Sequence, residues 1–132
     1  ELYVEGMKRI NLHERALMHL MLNGSEKIEG LRNMEGVKVL VDYEDLSTRD
    51  LIMAIEFSNL DYSKAVEEYE KEGVIVFERI ISSLYSVRML NTLKLGGNVR
   101  VSPLHCHTEE DINKFLVATK RLASLRLVEV EV

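Results

Sequence analysis

The sequence is poor in the residues that stabilise small secreted proteins. It contains one cysteine and one proline among 132 residues, and it has no tryptophan. Because Cys106 has no second cysteine to pair with, a disulfide-rich scaffold is excluded, and the cytoplasm is the expected location. No apolar run reaches the roughly 18 residues of a membrane-spanning helix, and the first residues lack the basic-then-apolar order of a signal peptide. We expect a soluble protein without a membrane partner.

Positive charge is also scarce and scattered. The chain carries 22 acidic and 17 basic residues, for a formal net charge of −5, and no long run of lysine or arginine offsets it locally. Proteins that bind a phosphate backbone draw on concentrated positive charge. Nucleic acid is therefore not an expected partner.

The remaining composition is that of one globular domain. Hydrophobic residues make up 46% of the chain and charged residues 30%. A chain of 132 residues is long enough to bury a core and too short for two domains. It starts at Glu1 rather than at methionine, so we expect it to be a piece of a longer protein.

The first half of the sequence predicts a long helix and two strands. Apolar residues recur at helical spacing across residues 8–32, with Gly24 on the same face. Residues 37–41 are rich in β-branched side chains and predict the first strand. Across residues 49–57, apolar side chains alternate with smaller or polar neighbours, which predicts a half-buried second strand. The acidic residues 42–50 form the turn between the two strands.

The second half predicts three helices separated by strands. Asp61 is placed to cap a helix that ends at Gly73. The last helix opens at Thr108 with a near capping box, in which Asp111 stands where glutamate or glutamine is usual. The remaining predicted elements are a strand at 74–77, a helix at 84–95 ending at Gly96 and Gly97, a strand at 98–102 and an edge strand at 127–132.

This order of elements predicts an α+β fold of two layers. Helices would cover one face of a small, mainly antiparallel sheet of about four strands, and a long helix would precede it. We expect residues 1–35 to form a linking helix packed on the small domain, and residues 36–132 to form that domain.

The run His105, Cys106 and His107 is the first candidate for chemistry, because imidazole and thiolate bind zinc. A structural zinc site needs four ligands, and the other histidines, His13 and His19, do not share one helical face. Adjacent side chains on an extended segment also point to opposite sides, so Cys106 does not face either histidine as a nucleophile would. We expect no metal site, and a loop that leads into the last helix.

Arg100 is the second candidate, because it lies within a predicted strand between Val99 and Val101. An arginine there either faces water, in a salt bridge to a nearby acid, or forms a fixed fork for a carboxylate. The strand pattern alone leaves both interpretations open.

The segment around Arg100 resembles the class V aminotransferases. Residues 99–112, VRVSPLHCHTEEDI, are similar to the strand, loop and N-T-x-E-E pattern near the C-terminus of cysteine desulfurases, selenocysteine lyases and isopenicillin N epimerase-like proteins, with His107 in place of the usual asparagine. Residues 71–76, KEGVIV, resemble that family's L-x-x-x-G-I-x-V segment. The resemblance implies that Arg100 binds the α-carboxylate of an amino-acid substrate.

The resemblance further implies that this chain is the C-terminal small domain of a pyridoxal-phosphate enzyme. The lysine that binds the cofactor, and the aspartate that holds its ring nitrogen, belong to a large domain that is missing here. The full-length enzyme would hold pyridoxal phosphate and form a homodimer, whereas this piece would bind no cofactor and contain no catalytic residue. Arg79, Ser82 and Ser83 would lie in an active-site loop.

One departure puts a cysteine desulfurase reaction in doubt. In desulfurases the loop after the third strand carries the cysteine that takes up sulfur, and residues 78–85 here contain none. The same elements also fit a second hypothesis, a free-standing α+β module that senses an amino acid or binds another protein. Which reaction or substrate the enzyme has does not follow from the sequence.

Overall fold

The computed structural model describes residues 1–125, so the predicted edge strand at 127–132 lies outside the described residues. Its helices and strands are, in chain order, α1 Leu2–Asn23, β1 Val37–Leu40, β2 Met53–Phe57, α2 Tyr62–Lys71, β3 Phe77–Ile80, α3 Val87–Thr92, β4 Gly97–Val101 and α4 Glu109–Ala123. None of the helices within residues 1–125 is long and apolar enough to cross a membrane.

The four strands form one antiparallel sheet in the order β1-β2-β4-β3. Ile55 of β2 pairs with Val39 of β1 on one side and with Val99 of β4 on the other. The predicted α+β fold, with a small antiparallel sheet and a long helix before it, is confirmed.

One face of the sheet carries the core. Alternation along the strands points Met53, Ile55, Val99 and Val101 to this face, where each is nearly inaccessible to solvent. α1, α2 and α4 supply the helical layer, and Tyr69 of α2 is fully buried in it. We call this side the helical face.

The opposite side, which we call the open face, has a different composition. The register places on it one pair of alternating residues from each strand: Lys38 and Leu40, Ala54 and Glu56, Phe77 and Arg79, and Asn98 and Arg100. The short α3 borders this face through Met89, whose sulfur accepts a hydrogen bond from Arg79. Polar and charged side chains therefore collect on the side that the three long helices leave uncovered.

The first helix ends earlier than its apolar spacing predicted. α1 stops at Asn23, and Gly24 adopts a φ of 74° before the chain reverses and Ser25 donates to the Ile28 carbonyl. A Cβ at Gly24 would lie 2.2 Å from that carbonyl oxygen, so only glycine fits. Leu31 still reaches the core from a short 3-10 helix, Leu31–Asn33, which explains the continued apolar pattern.

The third strand lies later than predicted. Residues 74–76 were expected to pair, but Val74 donates its N–H to the Tyr69 carbonyl and completes the end of α2. Gly73 supplies the left-handed residue at that end, with a φ of 74°, as predicted. Pairing starts only at Phe77, because residues 74–76 close the helix and bury Val76 first.

The predicted helix at 84–95 is shorter, and its stop is not the glycine pair. α3 covers Val87–Thr92, and Lys94 takes the left-handed conformation, with a φ of 57°. Gly97 has a different role: a Cβ there would lie 2.6 Å from the ring of Tyr62 on α2. The second strand is likewise shorter than predicted, since it starts at Met53 rather than at residue 49.

Candidate functional site on the open face of the sheet

Arg100 lies in the middle of β4 and projects from the open face. It pairs in register with Ala54 of β2 and with Phe77 of β3, and it is half-buried. Its neighbours Val99 and Val101 point to the helical face and are buried there. The strand therefore anchors the arginine on both sides while leaving its head group directed away from the core.

A pocket of about 180 Å³ opens beside Arg100. Its polar lining is formed by Arg49 from the turn before β2, Arg79 from β3, and Asn98 and Arg100 from β4. Its apolar lining consists mainly of Leu40, Ile52, Ala54, Met89 and Leu93. None of the described residues that line it is acidic. The arrangement suits a small anion that carries some apolar surface.

The three guanidinium groups of this pocket form no ion pair with any residue between 1 and 125. Arg49 donates from Nη1 to the Val41 carbonyl at 2.7 Å, and Arg79 donates from Nη1 to the Met89 sulfur at 3.8 Å. Val41 has a φ of 51°, which is unusual for a β-branched residue. Strain of this kind is often found at functional sites, and here it turns a carbonyl towards Arg49.

Asp42 is a nearby acid, and its carboxylate is already bound. Both of its oxygens accept from Arg32 at 2.8 Å. This hydrogen-bonded pair lowers the pKa of Asp42, and the positive charge of Arg49 lowers the pKa further. The Asp42 carboxylate is therefore paired with Arg32, and the arginines of the pocket remain able to bind a ligand.

Asn98 was not singled out from the sequence. It is only 2% exposed, and no described residue donates a hydrogen bond to its buried Oδ1. A signal for it existed, because residues two apart on a strand share a face, and Asn98 is two residues before Arg100. Arg49 had no such signal, since it precedes β2 in a turn.

The structure brings together only part of the predicted active-site loop. Arg79 lines the same pocket as Arg100. Ser82 and Ser83 lie in the turn after β3 and are not among the residues that line the pocket. Ser83 uses its backbone to start α3, since its carbonyl accepts from Ser86 and Val87.

The loop with His105, Cys106 and His107 has a structural role in the described part of the chain. His105 and Cys106 are exposed, whereas Nδ1 of His107 accepts from the Leu104 N–H at 2.8 Å and the His107 carbonyl accepts from His13 of α1 at 3.0 Å. Within residues 1–125, no three His, Cys, Asp or Glu side chains converge as a metal site would require.

A larger cleft of about 320 Å³ lies between residues 73–76 and α4. Two of its polar side chains are already engaged. Asp111 accepts from the Thr108 N–H in the capping box of α4, and Nδ1 of His107 accepts from the Leu104 N–H. Ser102 and Lys114 also line this cleft, so it has one lysine or arginine where the Arg100 pocket has three.

Pyridoxal phosphate, which the resemblance implies, requires a lysine in a desolvated pocket. No lysine lines the Arg100 pocket, and none of the lysines of this chain is buried. The residues of this chain therefore do not form a site for that cofactor by themselves.

Comparisons with known proteins support the fold. Neither a family model nor a curated protein sequence matches this chain. Among solved structures, the cysteine desulfurase CsdA of Escherichia coli, as its S-sulfonic acid, superposes with a TM-score of 0.67 and 18% identity over 85% of this chain and 25% of its own. The apo cysteine desulfurase of Thermococcus onnurineus superposes with a TM-score of 0.73 and 18% identity over 92% of this chain and 28% of its own.

The chain has the fold of one part of these proteins. It spans about a quarter of the length of each, 25% and 28%. At 18% identity the likeness concerns the fold alone.

Proposed function

We propose that this chain is the C-terminal small domain of a pyridoxal-phosphate enzyme of the class V aminotransferase type, related to the cysteine desulfurases. In the complete protein, a large domain would hold the cofactor, and this domain would close over the amino-acid substrate. The intact enzyme is proposed to be a cytoplasmic homodimer. By itself, the chain would bind substrate weakly and catalyse nothing.

The observation that carries this proposal is the position of Arg100. It projects from the open face into a pocket that no described acidic residue lines, and the segment around it resembles the carboxylate-binding segment of that family. The likeness to a quarter of two cysteine desulfurases supports the same interpretation.

The proposed role of this chain is to bind and orient the substrate. The guanidinium of Arg100 would hold the α-carboxylate through two parallel hydrogen bonds, which fixes the orientation of the amino acid. The apolar side chains Met89 and Leu93 would exclude water from this pair and strengthen it. The cofactor, when bound by the other domain, supplies the electron sink for chemistry at the amino acid.

Sulfur transfer is not included in the proposal. The only cysteine of the chain, Cys106, lies exposed in the loop before α4 and does not line the Arg100 pocket. The turn after β3, where desulfurases carry their sulfur-accepting cysteine, has Ser82 and Ser83 instead. Other reactions of the same enzyme type do not require that cysteine.

Substitution of Arg100 in the complete enzyme tests the proposal. Because the pair with the carboxylate is charge-assisted and desolvated, Arg100→Ala should cost on the order of 2–4 kcal/mol of transition-state binding. This corresponds to roughly 30- to 1000-fold in kcat/KM. Arg100→Lys should recover only part of the loss, because it keeps the charge but not the fork.

The matched control is Arg88→Ala, since Arg88 is an exposed arginine of α3 that does not line the pocket. It should leave kcat/KM unchanged, and the cofactor absorbance of both variants should match that of the parent. If Arg100→Ala kept kcat/KM within about threefold, an effect below about 1 kcal/mol, Arg100 would not bind the substrate.

A further inference from the structure

The number of arginines in the Arg100 pocket exceeds what one carboxylate needs. A single carboxylate is satisfied by one guanidinium fork. Arg49 and Arg79 line the same pocket of about 180 Å³, and no described acidic residue lines it with them. Two positively charged groups therefore remain after Arg100 has taken its proposed partner.

The strand register places two of these arginines close together. Arg79 pairs with Asn98 and Arg100 pairs with Phe77, so the two arginines are diagonal neighbours on β3 and β4. The backbones of diagonal neighbours lie about 7–8 Å apart, so both long side chains can reach one pocket. Like charges within one pocket repel each other, and an anion bound there would offset this repulsion.

The other acids near the open face have other partners or lie elsewhere. Glu56 lies opposite Lys38 on the neighbouring strand and does not line the pocket. Asp42 is bound by Arg32 through both oxygens, and Asp50 lines a different cleft, against α1. None of these carboxylates fills the pocket.

Two lining residues have unused hydrogen-bonding groups. The Nε of Arg49 is buried, and no residue between 1 and 125 accepts a hydrogen bond from it. Asn98 is 2% exposed, and its Oδ1 has no donor in the described part of the chain. Buried polar groups are nearly always paired. A carboxylate can accept from the Arg49 Nε, whereas the Asn98 Oδ1 needs a donor, such as the amino group of an amino acid.

We propose that this pocket accepts a second anionic group through Arg49 and Arg79, so that its ligand is a small organic acid with two carboxylates. The inference rests on the proposed function, because it takes Arg100 as the site of the first carboxylate. A pocket of about 180 Å³ is below the range of drug-sized ligands, and Ile52 and Met89 offer apolar contact to a short carbon chain between the two charges. The substrate of the complete enzyme is then an amino acid with an acidic side chain.

The test is a titration of the 132-residue chain, followed by amide chemical shifts, at constant low ionic strength. The probes are succinate, which carries two carboxylates, butyrate, which has the same number of carbons and one carboxylate, and inorganic phosphate. Succinate should bind at least about tenfold more tightly than butyrate, because it makes a second charge-assisted contact. Phosphate should bind more weakly than succinate, since one centre cannot reach both ends of the pocket.

Variants separate the two anionic positions. Arg49→Gln and Arg79→Gln should each weaken succinate binding about tenfold and leave butyrate binding unchanged, while Arg100→Gln should weaken both. Arg88→Gln, outside the pocket, should change neither. The shifts of residues far from the pocket report in the same spectra that each variant is folded.

Succinate that binds no more tightly than butyrate, phosphate that binds as tightly as succinate, or full succinate binding in both Arg49→Gln and Arg79→Gln would overturn the inference. These outcomes leave the Arg100 substitution in the complete enzyme as a separate test of the proposed function. Conversely, the chain could bind succinate tightly while the complete protein holds no pyridoxal phosphate. That result would overturn the proposed function alone.

Discussion

A buried hydrogen bond between Tyr69 and Thr119 joins α2 to α4 inside the core. Thr119 donates from Oγ1 to the Phe115 carbonyl at 2.8 Å, so the Tyr69 hydroxyl must be the donor to Thr119. Burial raises the pKa of Tyr69, which keeps the hydroxyl protonated. The Tyr69 ring also stacks on Phe115, with centroids 5.6 Å apart.

The direction of this hydrogen bond predicts an asymmetric mutational effect. Thr119→Val should cost about 1–3 kcal/mol, because it leaves the buried Tyr69 hydroxyl unpaired. Tyr69→Phe should cost about 0.5–1.5 kcal/mol, because Thr119 keeps its bond to Phe115. The double variant should lose less than the sum of the two, as measured by urea unfolding. Strict additivity would show that the two hydroxyl groups do not interact.

The sequence made Arg100 a candidate because strand alternation and the local motif both involve that residue, and its role in binding a substrate stays a prediction. It also contained enough to find Asn98, which shares the strand face with Arg100. Arg49 could not be found this way. The alternation of β2 would have assigned residue 49 to the helical face, but β2 starts at Met53, and the turn before it redirects the side chain towards the pocket.

At the scale of elements, helix ends set by local hydrogen bonds were predictable. Asp61 accepts from the Lys64 N–H at 2.8 Å, and Thr108 and Asp111 form the complete capping box of α4. The start of β3 and the end of α1 were not predictable, because each depends on how the residues that follow pack against the domain. A glycine within a helical pattern can be tolerated or can end the helix, and at Gly24 the contact with the returning chain decides.

The capping box predicts a pH dependence of stability. Hydrogen bonds from the backbone and side chain of Thr108 lower the pKa of Asp111. A carboxyl group with a lowered folded-state pKa stabilises the protein above its unfolded pKa of about 4 and loses this contribution as the pH falls through the folded-state pKa. Asp111→Asn keeps an acceptor for Thr108 but removes the charge.

Urea unfolding of the parent and of Asp111→Asn between pH 7 and pH 2 tests this effect. The parent should be the more stable protein at pH 7. The difference in stability should start to shrink below about pH 4 and should vanish once the pH is below the lowered pKa of folded Asp111. Thr108→Ala, which removes the side-chain cap, should cost about 1 kcal/mol at pH 7. A constant difference between parent and Asp111→Asn across the whole range would contradict the assigned role of the charge.

At the scale of the whole molecule, the two faces of the sheet differ in composition and in proposed role. Its helical face holds the domain together through Ile55, Val99 and the buried side chains of α1, α2 and α4. Its open face gathers arginines whose charges no described acid neutralises. Stability and the proposed ligand binding thus depend on alternate residues of the same strands, and Arg100 lies between two residues of the core.

The two-layer fold was predictable because apolar periodicity reports which residues are buried. The placement of the pocket was not, because it depends on which strands become neighbours. β3 and β4 are adjacent in the chain and in the sheet, but β4 also pairs with β2, and this inserts Arg100 between Ala54 and Phe77. The pairing brings the turn with Arg49 to the same pocket.

Under the proposed function, this domain belongs to a pyridoxal-phosphate enzyme whose cofactor is held elsewhere in the protein. Borohydride reduction fixes a lysine-bound pyridoxal phosphate covalently, and peptide mapping of the complete protein then locates the modified lysine. We predict one modified lysine outside these 132 residues, and no specific modification of this chain treated alone with the cofactor. A complete protein that takes up no cofactor, or one modified at a lysine of this chain, would contradict the proposed function.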